Sequence, residues 1–234
     1  MNRVRAIFVL AVCALSAVAA KADTLTLVTV GPGTAGGPNS TAGVYVYPYY
    51  FSINGSSTLT PMICDSYDRE VYVGESWTAS SSSLAGVVGS SSALAANSSL
   101  MEGGQLANLT ISQAYAEAAW LYTQMGPDPT STNADNYNFA IWAIFSSNAT
   151  QSAGYDAAVK ALLDAAYGHR NDSLSTFSNV TVWSPITPTD ATYNGKSVGL
   201  PQQYFAMTPV PEPGTLALGF TGLFGVAFAI RRKG

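Results

Sequence analysis

The chain has 234 residues, with 14 acidic and 10 basic side chains, a net charge of −4, one histidine and two cysteines. An acidic balance of this kind argues against nucleic acid or an anionic membrane surface as partner, and one histidine leaves no Cys/His set for a zinc centre. Cys13 lies in an apolar N-terminal stretch, so Cys64 is the lone cysteine of the rest and no internal disulfide is expected.

The first 22 residues read as an export signal. Arg3 and Arg5 form a basic start, Ala6 to Val18 is a short apolar core, and Ala20-Lys21-Ala22 is a small-x-small cleavage site. The mature chain is expected to begin at Asp23. Between Asp23 and Pro213 all 14 acidic residues face only Arg69, Lys160, Arg170 and Lys196, a net of −10. Residues 23–209 suffice for one extracytoplasmic domain. Few charges and many Ser, Thr, Asn, Gly and Tyr residues suit a β-rich extracellular module.

Thr24 to Val30 is a β-branched run that predicts a first strand, followed by a Gly/Pro loop from Gly31 to Ser40. Gly43 to Ile53 predicts an aromatic-rich strand with Pro48 at an edge or bulge, ended by an Asn54-Gly55 turn. Pro61 to Asp65 and Val71 to Val73 are expected as two further short strands. Thr78 to Ser99 lacks clear periodicity and reads as loop or weak helix. From about residue 110 to 169 the apolar spacing becomes helical. One stripe is Ile111, Tyr115, Ala118, Tyr122 and Met125, with Thr110 or Ser112 as cap and Gly126-Pro127 as stop. A second helix begins near Asp135 and aligns Tyr137, Ile141, Ile144 and Phe145; a third follows Gly154 and aligns Tyr155, Val159, Leu162, Leu163 and Ala166. Val180 to Trp183 and Tyr204 to Met207 close the domain as strands. The expected class is α+β, a β-sandwich or barrel-like sheet with a three-helix insertion, flanked by the signal peptide and a C-terminal transmembrane helix.

That last helix is expected over residues 214–230, a 17-residue run with no charged side chain. At about 1.5 Å per residue it just reaches the lower limit for crossing a bilayer core. Pro211-Glu212-Pro213 stands before it as a non-helical edge, and Arg231-Arg232-Lys233 follows as a basic tail that favours the cytoplasmic side. This order, over residues 210–234, resembles the PEP-CTERM sorting signal of bacterial surface proteins. The resemblance implies that an exosortase, a membrane transpeptidase, acts on the chain at the tripeptide after a transient stay in the inner membrane. The ectodomain would then pass to the cell surface or an exopolysaccharide matrix.

A second resemblance spans residues 43–207. Met62-Ile63-Cys64-Asp65 in a strand, Tyr137-Asn138-Phe139-Ala140-Ile141-Trp142 on a helix and a closing Leu200-Pro201-Gln202-Gln203-Tyr204-Phe205 look like the thioester domains of bacterial adhesins. There a strand cysteine bonds to a glutamine preceding an Ile-Trp pair. Cys64 matches the cysteine, but the glutamine position holds Asn138. Asparagine is one methylene shorter, which removes the near-attack geometry. Cys64 is therefore read as a small buried hydrophobe and Asn138 as a helix-surface amide.

Other constellations carry less. His169 near Asp164 and Asp172 reads as a helix end, and the group Asp65, Asp68, Glu70 and Glu75 lacks calcium-loop spacing, so neither metal nor cofactor is expected. The tyrosines and tryptophans could form a sugar-stacking face, although Val44, Tyr45, Val46 and Tyr47 alternate as in a half-buried strand. The sequence thus points to an exported, non-enzymatic surface or matrix component. The alternatives are a secreted carbohydrate-active enzyme and a thioester-type adhesin, the latter disfavoured by Asn138.

Overall fold

The structure, a computed structural model, describes residues 22–31, 44–89, 109–126, 133–186 and 190–208. In Thr24-Leu25-Thr26-Leu27 polar and apolar residues alternate, and strand β1 (Ala22–Val30) buries Leu25 and Leu27 completely. β2 (Tyr49–Ile53) and β3 (Leu59–Cys64) form a hairpin. Its turn has φ of 53° at Asn54 and 74° at Gly55 and is closed by Ser56 N–H donating to Ile53 O at 3.0 Å. β4 (Ser76–Ser83), β5 (Val180–Pro185), β6 (Ala191–Tyr193), β7 (Lys196–Gly199) and β8 (Tyr204–Met207) complete the order β1-β2-β3-β8-β5-β4-β6-β7, all antiparallel. A further pairing of β1 with β4 closes six of these strands into a barrel, with the β6–β7 hairpin attached beside β4. The barrel-like expectation holds, and the sandwich does not.

Aromatic rings fill the barrel. The rings of Phe51 and Tyr204 lie 4.6 Å apart, those of Phe51 and Trp77 5.5 Å, and those of Tyr49 and Tyr204 5.4 Å. Rings of this size bury about 150–250 Å² each, so a few of them fill a narrow lumen. The next residue of β8 points the other way. Phe205 stands outside the barrel against Tyr115 and Tyr122 of a helix, and so couples the two layers of the domain.

Four α-helices stand among the described residues: α1 (Leu84–Val88), α2 (Ile111–Met125), α3 (Ala134–Phe145) and α4 (Ala157–Tyr167). Of the two caps expected at α2, Thr110 is the one used, and it forms a capping box: Thr110 Oγ1 accepts from Gln113 N at 3.3 Å, and Gln113 Oε1 accepts from Thr110 N at 2.9 Å. Gly126, with φ of 79°, ends that helix. α4 is capped by Asp156, which accepts from Ala158 N and Val159 N, and it ends at Gly168. α2 and the second half of α3 are buried nearly all round, because they lie between the barrel wall and the remaining helices.

Several expectations are corrected. The strand foreseen from Gly43 begins only at Tyr49, because Pro48 has no N–H and Tyr47 N donates to a helix side chain instead of a ladder. Val71 to Val73 is a loop rather than a strand, and Gly74, with φ of 96°, redirects the chain into β4. Ser76–Ser83, read in large part as loop or weak helix, is the strand that closes the barrel, and α1 makes the helices four rather than three. The β6–β7 hairpin was not foreseen, although Asn194-Gly195, with φ of 51° and 72°, marks its turn.

The register gives the barrel two distinct ends. The start of β1, the β2–β3 turn, the end of β4, the start of β5 and the end of β8 lie at one end, since Leu25 pairs with Ile53, Ser83 with Thr181 and Val180 with Met207. Tyr49, Cys64, Pro185 and Tyr204 mark the other. Ala22 and Thr208, the outermost described residues, are therefore both at the first end. No helix of the described residues is long and apolar enough to cross a membrane; the expected span 214–230 and signal peptide 1–22, save Ala22, lie outside them.

Candidate functional site

At the second end of the barrel, segments remote in sequence converge on a cavity of about 380 Å³. β3 ends at Cys64 and the chain turns outward through Ser66, Tyr67, Arg69 and Glu70. Trp142 of α3 and Gln202, just before β8, complete the polar and aromatic lining, with Tyr45 and Tyr72 at the rim. The Tyr67 ring stands edge-on to Trp142 at 5.3 Å, and Tyr72 stacks on Tyr193 at 5.3 Å. Tyr72 Oη donates to Glu70 at 2.5 Å, and Arg69 Nη1 donates to Pro201 O at 2.7 Å, which holds the charged rim in place.

Cys64 sits behind this cavity, fully buried. Its Sγ–H is 2.8 Å from Gln202 Oε1 and 3.1 Å from Ser66 O, while Ser66 N–H points to the sulfur at 3.3 Å. Tyr204 Oη shares the same Gln202 oxygen at 2.8 Å, and the Gln202 amide donates to Arg69 O. Burial, reinforced by the neighbouring Asp65, pushes the thiol well above its usual range, against smaller opposing contributions from the Ser66 N–H, the Trp142 indole and Arg69. The sulfur is thus held as a thiol, whereas a nucleophile needs the thiolate. Asp65 is also fully buried, without a hydrogen-bond partner for either carboxyl oxygen, and burial favours its neutral acid despite the nearby Arg69.

Asn138 is not the helix-surface amide that the sequence suggested. It is completely buried on α3, where Oδ1 accepts from Tyr47 N at 2.8 Å and Nδ2 donates to Cys64 O at 2.9 Å. One side chain thereby ties the segment before β2 and the end of β3 to the helix layer. The carboxamide facing the Cys64 sulfur belongs to Gln202, which the sequence marks only as part of the closing Leu200 to Phe205 run. Nothing but the pairing of β3 with β8, Cys64 opposite Tyr204, brings the two together.

The remaining candidates separate. His169 Nδ1 is 2.9 Å from Asp172 Oδ2, and its ring stacks on Trp120 at 4.4 Å, while Asp164 pairs with Lys160 at 3.2 Å instead. Asp68 accepts from Asn148 Nδ2 at 2.7 Å and Glu75 from Tyr72 N at 2.8 Å, so the four acids between Asp65 and Glu75 are dispersed. No group of three or more potential metal ligands occurs among the described residues. A fully buried carboxylate that sequence reasoning overlooked is Glu117 of α2, whose two oxygens have no hydrogen-bond partner. Of the expected signal-peptide residues, Ala22 opens β1 opposite Ser80, and Ala20 lies outside the described residues, as do Pro211, Glu212, Pro213, Arg231, Arg232 and Lys233.

Residues 209–233 match the family model of the PEP-CTERM protein-sorting motif. The motif implies an exported protein, recognised by an exosortase and anchored in the membrane through its C-terminal signal before processing. No curated protein and no solved structure matches the chain.

Proposed function

We propose that this protein is a component of the bacterial cell surface or extracellular matrix, with a structural or adhesive, non-enzymatic role linked to exopolysaccharide. The observation that carries the reading is the sorting motif at residues 209–233, one residue beyond Thr208, which Asn179 O still holds through Thr208 N at 2.9 Å. The motif supplies a route out of the cell, and the barrel supplies a compact module to be released. The cavity supports binding over turnover. Glu70 is the one carboxylate among its lining residues, whereas glycoside hydrolysis ordinarily uses a pair flanking the bond.

Deleting the exosortase tests the destination. The protein is expected to accumulate in the membrane with its C-terminus intact and to disappear from the surface and matrix fractions. Equal release from wild-type and deletion cells would overturn the reading. Activity of the secreted form on polysaccharide, lost on changing a single acidic residue, would instead support the rival carbohydrate-active enzyme.

A further inference from the structure

We infer that the cavity at the second end of the barrel is a glycan site for a neutral pyranose residue, displayed on the side of the domain that faces away from the membrane. The inference deepens the matrix role proposed above and rests on it for the source of the glycan. The chemistry of the walls carries the ligand class. A sugar ring offers C–H faces, which pack on aromatic rings, and hydroxyls, which need donors and acceptors at fixed positions. Tyr67 and Trp142 supply the first, and Arg69, Glu70 and Gln202 the second.

An independent observation points to a missing partner. Ser66 is only 3 % exposed and lines the cavity, yet its Oγ has no hydrogen-bond partner. A buried hydroxyl left unpaired is unfavourable, so a hydroxyl-bearing ligand that reaches it through a small shift of the wall gains by answering it. The volume of about 380 Å³ is near the lower end of small-molecule sites and suits one or two sugar rings. Charge narrows the choice further. Arg69 and Glu70 balance each other at the rim, while the domain between Asp23 and Pro213 carries a net −10 that repels an anionic glycan.

Topology carries the orientation. The sorting motif begins at residue 209, directly after the strand that ends at the first end of the barrel. Before processing, that end is held toward the membrane, and the cavity beside Cys64 and Tyr204 opens at the opposite end.

The test uses the full chain purified in detergent, with glucose, galactose, mannose and N-acetylglucosamine as probes and glucuronate as the charged comparison, read by saturation-transfer NMR. At least one neutral sugar is expected to bind. Ser66→Ala should weaken it about tenfold without lowering the urea midpoint, since the lost hydroxyl has no partner within the protein, and Tyr67→Ala should weaken it by at least as much. Tyr167→Ala, at an exposed helix end and outside the cavity lining, should leave binding unchanged. Absence of neutral-sugar binding, preference for glucuronate, or equal binding by Ser66→Ala and wild type overturns the inference; should Tyr67→Ala fail to fold, Ser66→Ala decides. Co-sedimentation with purified exopolysaccharide separates the two readings. If it persists while no pocket variant affects it, the cavity assignment falls and the matrix role stands; if the unaltered protein neither co-sediments nor binds sugar, both fall.

Discussion

Glu117 offers the sharpest test of the packing between α2 and the end of α4. It is completely buried, neither carboxyl oxygen has a hydrogen-bond partner, and burial raises it from 4.5 to about 7 despite the opposing charge of Arg170. A carboxyl that holds its proton more tightly when folded than when unfolded stabilises the protein least where it must ionise. Its penalty is absent well below pH 4.5, grows as pH rises from 4.5 to 7, and is complete above 7. With each unit worth about 1.4 kcal/mol, the penalty is roughly 1 kcal/mol at pH 5 and about 3 kcal/mol at pH 8. Glu117→Gln keeps the shape and cannot ionise. Urea denaturation followed by tryptophan fluorescence should therefore show the variant gaining on wild type by about 2–3 kcal/mol between pH 5 and pH 8. Comparing the two proteins at each pH cancels the contribution of every group not coupled to position 117. A stability difference that stays flat from pH 5 to pH 8, or a wild type that gains on the variant as pH rises, would refute the buried, poorly compensated carboxyl.

Asn138→Ala leaves Tyr47 N–H and Cys64 O without their side-chain partner, and a loss of about 2–5 kcal/mol by urea denaturation is expected; a loss under 1 kcal/mol would mean that the tie is not structural. Gly154→Ala would set a Cβ 2.2 Å from Cζ of the buried Phe139 ring, itself 4.9 Å from Trp142, so a destabilisation of about 1–3 kcal/mol is expected, partly recovered by adding Phe139→Leu. The intact mass of the secreted form should be that of the unmodified chain, with Cys64 alkylated by iodoacetamide only after unfolding. Loss of one ammonia, through Asn138 or through Gln202, would revive thioester chemistry.

The parts of the fold legible in the sequence are those whose signal is local. Helices α2, α3 and α4 show their 3.6-residue spacing along one face, and Thr110 and Gly126 punctuate α2 as caps do anywhere. Strand β4 is the opposite case. Ser80 to Ser83 is a run of four serines with no hydrophobic alternation. Its extended form comes from the partners on either side: Ala22 to Thr26 of β1 pair with Ser80 to Ser76, and Thr181 to Pro185 of β5 pair with Ser83 to Ala79. Only Trp77 and Ala79 anchor it inside the barrel, too few to be read as a period.

The candidate site was illegible for the same reason carried further. Its residues run from Val44 to Gln202, and none of them is unusual in its own neighbourhood. What joins them is strand register together with a single buried amide. Cys64 meets Gln202 because β3 pairs with β8, and Tyr47 meets the end of β3 because Asn138 bonds to both segments. The shorter side chain that argues against thioester chemistry is therefore suited to a different task. Asn138 is satisfied by backbone groups on both sides, and lengthening it to glutamine would push the amide into a space fully enclosed by β3 and the segment before β2. The substitution that would restore the adhesin motif in sequence should thus destabilise the barrel, by about 1–3 kcal/mol on overpacking alone, rather than create a reactive site. If Asn138→Gln instead folds with unchanged stability and loses one ammonia in its intact mass, this account of position 138 is wrong.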